Sequence, residues 1–457
     1  MRQNNTYIAF LKRSIMGLCT WLLASLAMAN TPLTLDSCLH LAEQNNKIIQ
    51  QSAIEVSKAE QVKSQALTKY FPQVSASAMG FHSLNPMIEV GIDDIRNAGV
   101  RDLLTTLYGN YGEALGLDNT LSFLEYGYQV GVTALQPVYM GGKIVAGNKL
   151  AQVGVEAAQL QESITQRDVL QEVEESYWLV VGLTDKQQTL TSGMALVDTL
   201  HKVVETAVNA GLALPTDLMQ VALKKSELQR TQIQLNNGMQ LAKRALCLSI
   251  GVPYNDSITV GSTAAETTPQ TLDFTTSQTP EHRLLQLQLQ AAQLQKRMAI
   301  AVALPQVAVG AYYGYSNMQA NIFRNGLGSQ YGNGTLFFSV SVPLSAWWET
   351  AHKIKEHNLE IEQARLQQEH TNALLHMRAQ QAHNQMNEAS LLINEYENAL
   401  QLATQNYNLT QADYQAGRVT ISQLLEAQTV LLQAQNNLTD AFISYRIAER
   451  KFLNYQH

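Results

Sequence analysis

Two unlike landmarks recur together at one spacing, and this duplication limits what the chain can fold into. Pro137 and Gly211 reappear as Pro343 and Gly417, each 206 positions further on. Val132-Thr133-Ala134-Leu135-Gln136 before the first proline echoes Phe338-Ser339-Val340-Ser341-Val342 before the second. Asn209-Ala210-Gly211-Leu212 likewise echoes Gln415-Ala416-Gly417-Arg418. Upstream, Tyr70-Phe71-Pro72-Gln73-Val74 echoes Ala303-Leu304-Pro305-Gln306-Val307 at a shift of 233, so the first copy carries 27 extra residues between its prolines. Two copies imply a pseudo-repeat within one architecture, since solenoids need three or more short repeats.

The N-terminus has the order of a secretory signal peptide over residues 1–29: Arg2, Lys12 and Arg13, an apolar run over 15–26, then Ala27-Met28-Ala29. An uncleaved anchor is the alternative, but the run is short of the ~20 residues a span needs. Cys19 lies inside the run behind Leu18, where a lipoprotein signal wants a small residue. The formal charge is −7, and the signal holds three positive and no negative residues, leaving the mature chain at −10. Such a chain is a poor nucleic-acid binder. Cys38 and Cys247 remain, enough for one disulfide but not for a disulfide framework. No apolar run after residue 29 is long enough for a transmembrane helix, so a membrane crossing requires a barrel.

Residues 143–210 lack proline and are rich in Ala, Gln, Leu, Val and Glu, which predicts one very long helix. At ~1.5 Å per residue it would run about 100 Å. Ala146, Leu150, Val153, Ala157, Leu160 and Ile164 alternate steps of four and three, a heptad seam. Residues 345–416 predict a similar helix. After Gly417, Leu424, Ala427, Leu431, Ala434, Leu438, Ala441, Tyr445, Ala448 and Phe452 form a second seam that mixes large and small residues. Return helices are expected over about 216–250 and 420–454, so each repeat ends in an αα-hairpin with its tip at Gly211 or Gly417.

The hairpin bases are strand-like. Tyr126, Tyr128, Val130, Val132 and Ala134 alternate with Gly127, Gln129, Gly131 and Thr133, while Val307, Val309, Ala311, Tyr313 and Tyr315 alternate with Ala308, Gly310, Tyr312 and Gly314. This is the period-two strand signal, and the tyrosines suit a membrane-interface girdle. Strands are expected over about 71–82, 124–138, 305–316 and 334–343, two per repeat. Residues 84–120, with a helical segment over 93–107, and the Gly/Asn-rich 317–333 read as surface loops. The Ser/Thr/Pro-rich stretch 251–280 reads as a linker or equatorial segment between a first repeat over 30–250 and a second over 281–457.

Four strands cannot close a barrel, which needs about eight, and an open edge cannot sit in lipid. Oligomerisation is then required, and a trimer would supply twelve strands and twelve rods. The chain also resembles the TolC-type outer-membrane efflux protein family across essentially the whole mature sequence. The resemblance rests on Leu33-Thr34-Leu35-Asp36-Ser37-Cys38-Leu39 with Asn45-Asn46, the Phe71-Pro72 strand entry, the Pro137-Val138-Tyr139-Met140-Gly141-Gly142 corner and both Gly-turn hairpins. It implies a mainly α protein with a membrane β portion: a homotrimer whose twelve-stranded barrel in outer-membrane lipid continues into a periplasmic α-helical tunnel. It further implies a Gram-negative outer-membrane location and docking with a periplasmic adaptor and an inner-membrane transporter of RND or ABC type. The function implied is a passive exit duct for efflux or type I secretion, with no cofactor.

In that family polar links hold the tunnel shut at the hairpin tips, where an acidic ring faces the pore. Gly211-Leu212 followed by Thr216-Asp217 matches the first tip, and Tyr414 ahead of Gly417 matches the second, implying a Tyr414–Asp217 type of link. The family prototype has arginine where this chain has Val419, with Arg418 one residue earlier, and two pore aspartates where it has Gln423 and Glu426. A single carboxylate ring from Glu426 would select cations less strongly than two. Gly211, Leu212, Ala213, Gly417 and Val419 would form the adaptor-docking tips, the first stiffened by Pro215.

Simpler readings stand beside these. Thr216 and Asp217 could serve as a helix-capping pair, a role compatible with gating. His352, His357, His370, His376 and His383 crowd one helix, but without an i, i+4 pair and carboxylate they call for no metal. Glu172, Glu174 and Glu175 fit a solvated face. No nucleophile, acid–base pair or phosphate loop points to catalysis. A non-conducting trimeric stalk is the alternative to a duct, and it gives no reason for two quasi-equivalent hairpin ends.

Overall fold

In the computed structural model the structure describes residues 32–85, 88–115, 117–256, 258–261, 279–323 and 327–455. The signal segment 1–29, with Cys19, and residues 262–278 of the joining stretch lie outside them. The elements are α1 (Leu35–Asn45), α2 (Lys47–Thr68), β1 (Gln73–His82), β2 (Ile88–Gly91), α3 (Ala98–Leu115), β3 (Leu117–Met140), α4 (Lys143–Asn209) and α5 (Pro215–Ile250). They continue with α6 (Pro280–Val302), β4 (Gln306–Phe323), β5 (Leu327–Ser341), α7 (Ala346–Gln415) and α8 (Ile421–Leu453). Two compact units result. One takes in Lys58–Glu156 and Leu287–Arg365, and the other Ala157–Gln286 and Leu366–His457 with the N-terminal residues up to Ser57.

The first unit holds an antiparallel sheet in the order β1-β3-β4-β5, with β2 pairing β3. The register sets Ala76 opposite Val132, Val132 opposite Tyr313 and Tyr313 opposite Gly334. Because strand side chains alternate, this gathers Val74, Val130, Val132, Val309, Tyr313, Leu336, Phe338 and Val340 on one face. That face is bare: Leu336 is 84%, Tyr313 73% and Phe338 70% exposed. The other face carries Ser75, Ser77, Gln129, Thr133 and Ser339 with Gly131, Gly310 and Gly314. Tyr312 lies over Gly131 and Gly314, and Phe337 over Gly310; a Cβ on Gly131 would stand 2.6 Å from the Tyr312 ring. Gln129 Nε2 donates to Tyr312 Oη at 2.7 Å and fixes the ring.

The strand-to-helix corner depends on Gly141 (φ 62°) and Gly142 (φ 83°), consecutive residues in the left-handed region. Gly141 also presses on the Ala301 carbonyl, where a Cβ would come within 2.5 Å. Hydrogen bonds tie the corner together: Gln136 Nε2 donates to Tyr70 O (3.0 Å) and Trp347 Nε1 to Ala303 O (3.2 Å), while Asn148 Nδ2 joins α4 to Ala66 O of α2 (2.9 Å).

The second unit is helical. Every member of the α8 seam from Leu424 to Phe452 is buried or half-buried. Helix α4 approaches α8 closely at small residues: a Cβ on Gly193 would meet Leu432 at 3.0 Å, and the buried Gln428 donates to Gly193 O at 3.1 Å. Val173, Tyr177, Leu246, Ile250, Met386, Ile393, Tyr445 and Phe452 lead one core, and Val197, Val204, Val221, Leu228 and Leu424 another. Buried Asn46 ties the segment to α5 by donating to Ser249 O at 2.6 Å, while its Oδ1 accepts from Ile48 N at 2.8 Å. Arg167 donates to Glu281 at 2.5 Å; burial opposes the Glu281 charge, but Arg167 prevails and holds the carboxyl below its ordinary range. Cys38 and Cys247 are both buried free thiols, and burial, reinforced by Cys247, pushes Cys38 up to about 12. Among the histidines, His357 pairs with Glu360 at 2.7 Å and His383 stacks on Phe452.

Three expectations from the sequence are corrected. The 317–333 loop is instead strand on both sides, because the β4–β5 ladder continues through Asn317↔Gln330 to Ala320↔Leu327 after the side-chain alternation fades. The first-copy excess over 84–120 is not a simple loop, since β2 pairs with the start of β3. Its helix is Ala98–Leu115 rather than 93–107, because the Asn97 side chain accepts from Val100 N at 3.2 Å and sets the start, leaving Ile92–Asp94 as a single 3-10 turn. Of the 251–280 stretch, Val260 bridges Leu33 in parallel.

Gly131→Val should lower sheet stability by about 1–3 kcal/mol through overpacking against Tyr312. Thermal unfolding checks this, and adding Tyr312→Ala should recover part of the loss.

Candidate functional site at the hairpin tips

The first tip is built by the end of α4. Leu212 N donates to Ala207 O (2.8 Å) and Gly211 N to Val208 O (3.0 Å), with Gly211 at φ +73°. The second repeats this at the end of α7: Arg418 N to Asp413 O (2.8 Å) and Gly417 N to Tyr414 O (3.0 Å), with Gly417 at φ +70°. This paired motif satisfies the last carbonyls of a helix and needs a left-handed residue, which glycine adopts without a Cβ penalty. Nothing lies within 4 Å of a Cβ built on either glycine, so backbone conformation alone selects it.

In each return helix the third residue caps the backbone N–H of the residue before the helix, and only α8 adds the reciprocal side-chain bond. In α5, Pro215 takes the first position and the Asp217 carboxylate accepts from Leu214 N at 3.2 Å. In α8, Thr420 Oγ1 accepts from Gln423 N at 3.4 Å, and Gln423 Oε1 accepts from Thr420 N at 2.9 Å. Asp217 and Gln423 thus hold the same place in the two tips, and capping accounts for the chemistry of both.

The remaining residues divide. Tyr414 is half-buried against the Val197–Leu424 core, and burial, then the charge of Asp217, pushes its phenol up, so it keeps its proton. Among the described residues no hydrogen bond joins Tyr414 to Asp217. Arg418 is paired with Asp413 on its own tip, Nε lying 2.9 Å from Oδ1. Glu426 is exposed and Thr216 is exposed beside Asp217. Leu212 stands 84% exposed and Leu214 65%, whereas Ala213 and Val419 are half-buried, so the first tip presents apolar surface and the second an ion pair.

Sequence reasoning missed the bond that joins the hairpins: Ser422 Oγ donates to Gln220 Oε1 at 2.5 Å, between the first turn of α8 and the second of α5. It also missed Lys225 with Asp198 (2.8 Å) and Asp413 as the partner of Arg418. The shift of 206 was the available signal for the two first turns, because it brings Thr216, four residues before Gln220, to Ser422 itself.

A bare-faced antiparallel sheet in one unit and long helical hairpins in the other define a mainly α protein with a membrane β portion. Residues 38–252 and 277–453 match the family model described as outer membrane efflux protein, and the chain belongs to that family. The structure is similar to the Campylobacter jejuni CmeC outer membrane channel (TM-score 0.74, 13% identity, 92% of this chain and 85% of that one). It is similar also to the outer membrane protein VceC of Vibrio cholerae (0.70, 16%, 92% and 95%) and to a membrane protein from Pseudomonas aeruginosa (0.73, 15%, 93% and 93%). No individually curated protein matches the chain in sequence. Among the described residues no helix is long and apolar enough to cross a membrane, and no cluster of three or more His, Cys, Asp or Glu could hold a metal.

Gly211→Ala and Gly417→Ala should each cost about 1–2 kcal/mol, since alanine must enter the left-handed region. Amide hydrogen exchange should quicken in the adjoining turns, while Gly238→Ala, inside α5, should stabilise by about 0.5–1 kcal/mol.

Proposed function

We propose that the chain is the protomer of a homotrimeric outer-membrane exit duct serving efflux or type I secretion. The observation that carries the reading is the sheet: one face apolar and bare, the other polar and glycine-rich, with β1 and β5 both left as edges. Hydrocarbon tolerates no open edge, so the edges must pair with other copies, and three copies of a four-strand-wide sheet give a twelve-stranded barrel. The polar face then lines the pore. Two pseudo-repeats, 30–250 and 281–457, joined through 251–280, are supported by the order of strands, long helix, glycine turn and return helix that occurs twice.

The tips are the docking and gating end. Exposed Leu212 and Leu214 suit an apolar contact with a periplasmic adaptor, which links the duct to an inner-membrane transporter of RND or ABC type. Gly211, Ala213, Gly417 and Val419 hold the turns that present this surface. The closed entrance is held by Asp217 with Thr216, by the protonated Tyr414 phenol, by Arg418 on Asp413 and by the Ser422–Gln220 bond, with Gln423 and Glu426 beside the opening. Adaptor binding opens the entrance only by its greater affinity for the open arrangement. The duct itself supplies no energy.

Single-channel recording of the mature protein tests the gate. Tyr414→Phe combined with Asp217→Ala should raise conductance, and removal of either tip should abolish export while leaving the oligomer intact. Unchanged conductance would remove these residues from the lock.

A further inference from the structure

A cavity of about 560 Å³ lies at the base of the sheet, where strands give way to helices. Its apolar lining includes Leu135, Pro137, Phe337 and Met298, and its charged lining groups are Lys69 and Lys143; among the described residues no acid lines it. That is unusual in a chain of net charge −7. Neither lysine has a carboxylate partner among the described residues. Lys143 is moreover the first residue of the 67-residue α4, whose first turn contains no acid. A cation there meets the positive end of the helix dipole, an unfavourable placement unless an anion joins it. The strand residues of the lining, Leu135, Ala308, Phe337 and Ser339 among them, belong to the polar, glycine-rich face and not to the bare apolar one.

We propose that this cavity binds an anionic amphiphile, its carboxylate, sulfate or phosphate head between Lys69 and Lys143 and its alkyl chain along Leu135, Pro137 and Phe337. The inference rests on the duct reading for its source. The site is on the pore face, so its occupant is a solute in transit and not a bilayer lipid, which would meet Val132, Leu336 and Phe338 on the opposite face. The volume falls within the range of small-molecule sites, and the lining mixes apolar walls with two exposed lysines.

The test is photolabelling of the purified full-length oligomer in dodecyl maltoside with a diazirine analogue of laurate, mapped by peptide mass spectrometry. Saturable labelling is expected on peptides containing Leu135–Pro137 or Met298, competed by laurate but not by dodecyltrimethylammonium. Lys69→Gln with Lys143→Gln should weaken competition by laurate about tenfold, equivalent to ~1.4 kcal/mol. Ala308→Phe, which keeps both charges and fills the cavity, should lose the label. Equal competition by the cation, indifference to both variants, or a co-purified phospholipid occupying the labelled peptides would overturn the proposal. Single-channel recording on the same preparation separates the two readings: specific labelling in an oligomer that carries no current, even with Tyr414→Phe and Asp217→Ala, overturns the duct while leaving the anion site standing.

Discussion

The unpaired edges of β1 and β5 are the constraint on which the rest depends. A backbone N–H or C=O buried in hydrocarbon without a partner costs several kcal/mol, and each edge carries a row of them. The bare valines, tyrosines, Leu336 and Phe338 seek an apolar surround, yet the edges forbid the sheet from entering it alone. Association with further copies, as proposed, would resolve both demands. The glycines of the other face then have a purpose, because Tyr312 and Phe337 fold down over them and keep that surface low.

The helical hairpins answer a different constraint. The C-terminal carbonyls of the 67- and 70-residue helices and the first N–H groups of their return helices must be satisfied within the tips. Both tips use the same glycine-dependent closure followed by a cap from the third residue of the return helix, aspartate in one and glutamine in the other. Capping and the proposed gate therefore draw on the same side chains. Asp217 already accepts from Leu214, so its influence on Tyr414 is exerted through its charge.

Much of this was legible in the sequence, for identifiable reasons. Proline-free stretches and the Leu424–Phe452 seam gave the helices, since helical periodicity depends on local spacing alone. Gly211 and Gly417 marked the turns because glycine adopts their left-handed backbone without a Cβ penalty. The strand ends were not legible: β4 and β5 extend through glycine and asparagine on ladder hydrogen bonds, which sequence alternation does not register. The start of α3 at Asn97 and the Ser422–Gln220 bond were missed because each depends on one side chain meeting one distant or local group. The Lys69–Lys143 cavity draws on the turn after α2, on α4, α6 and the sheet, so no window of sequence contains it.

Native mass spectrometry of the mature protein released from lipid nanodiscs tests the central claim most directly. Closure of the sheet edges by copies of the chain predicts a single species of three protomers, because three four-strand-wide sheets reach the twelve strands of the proposed barrel. A monomer or dimer that remains folded in the bilayer would contradict it, since β1 and β5 would then sit unpaired in lipid.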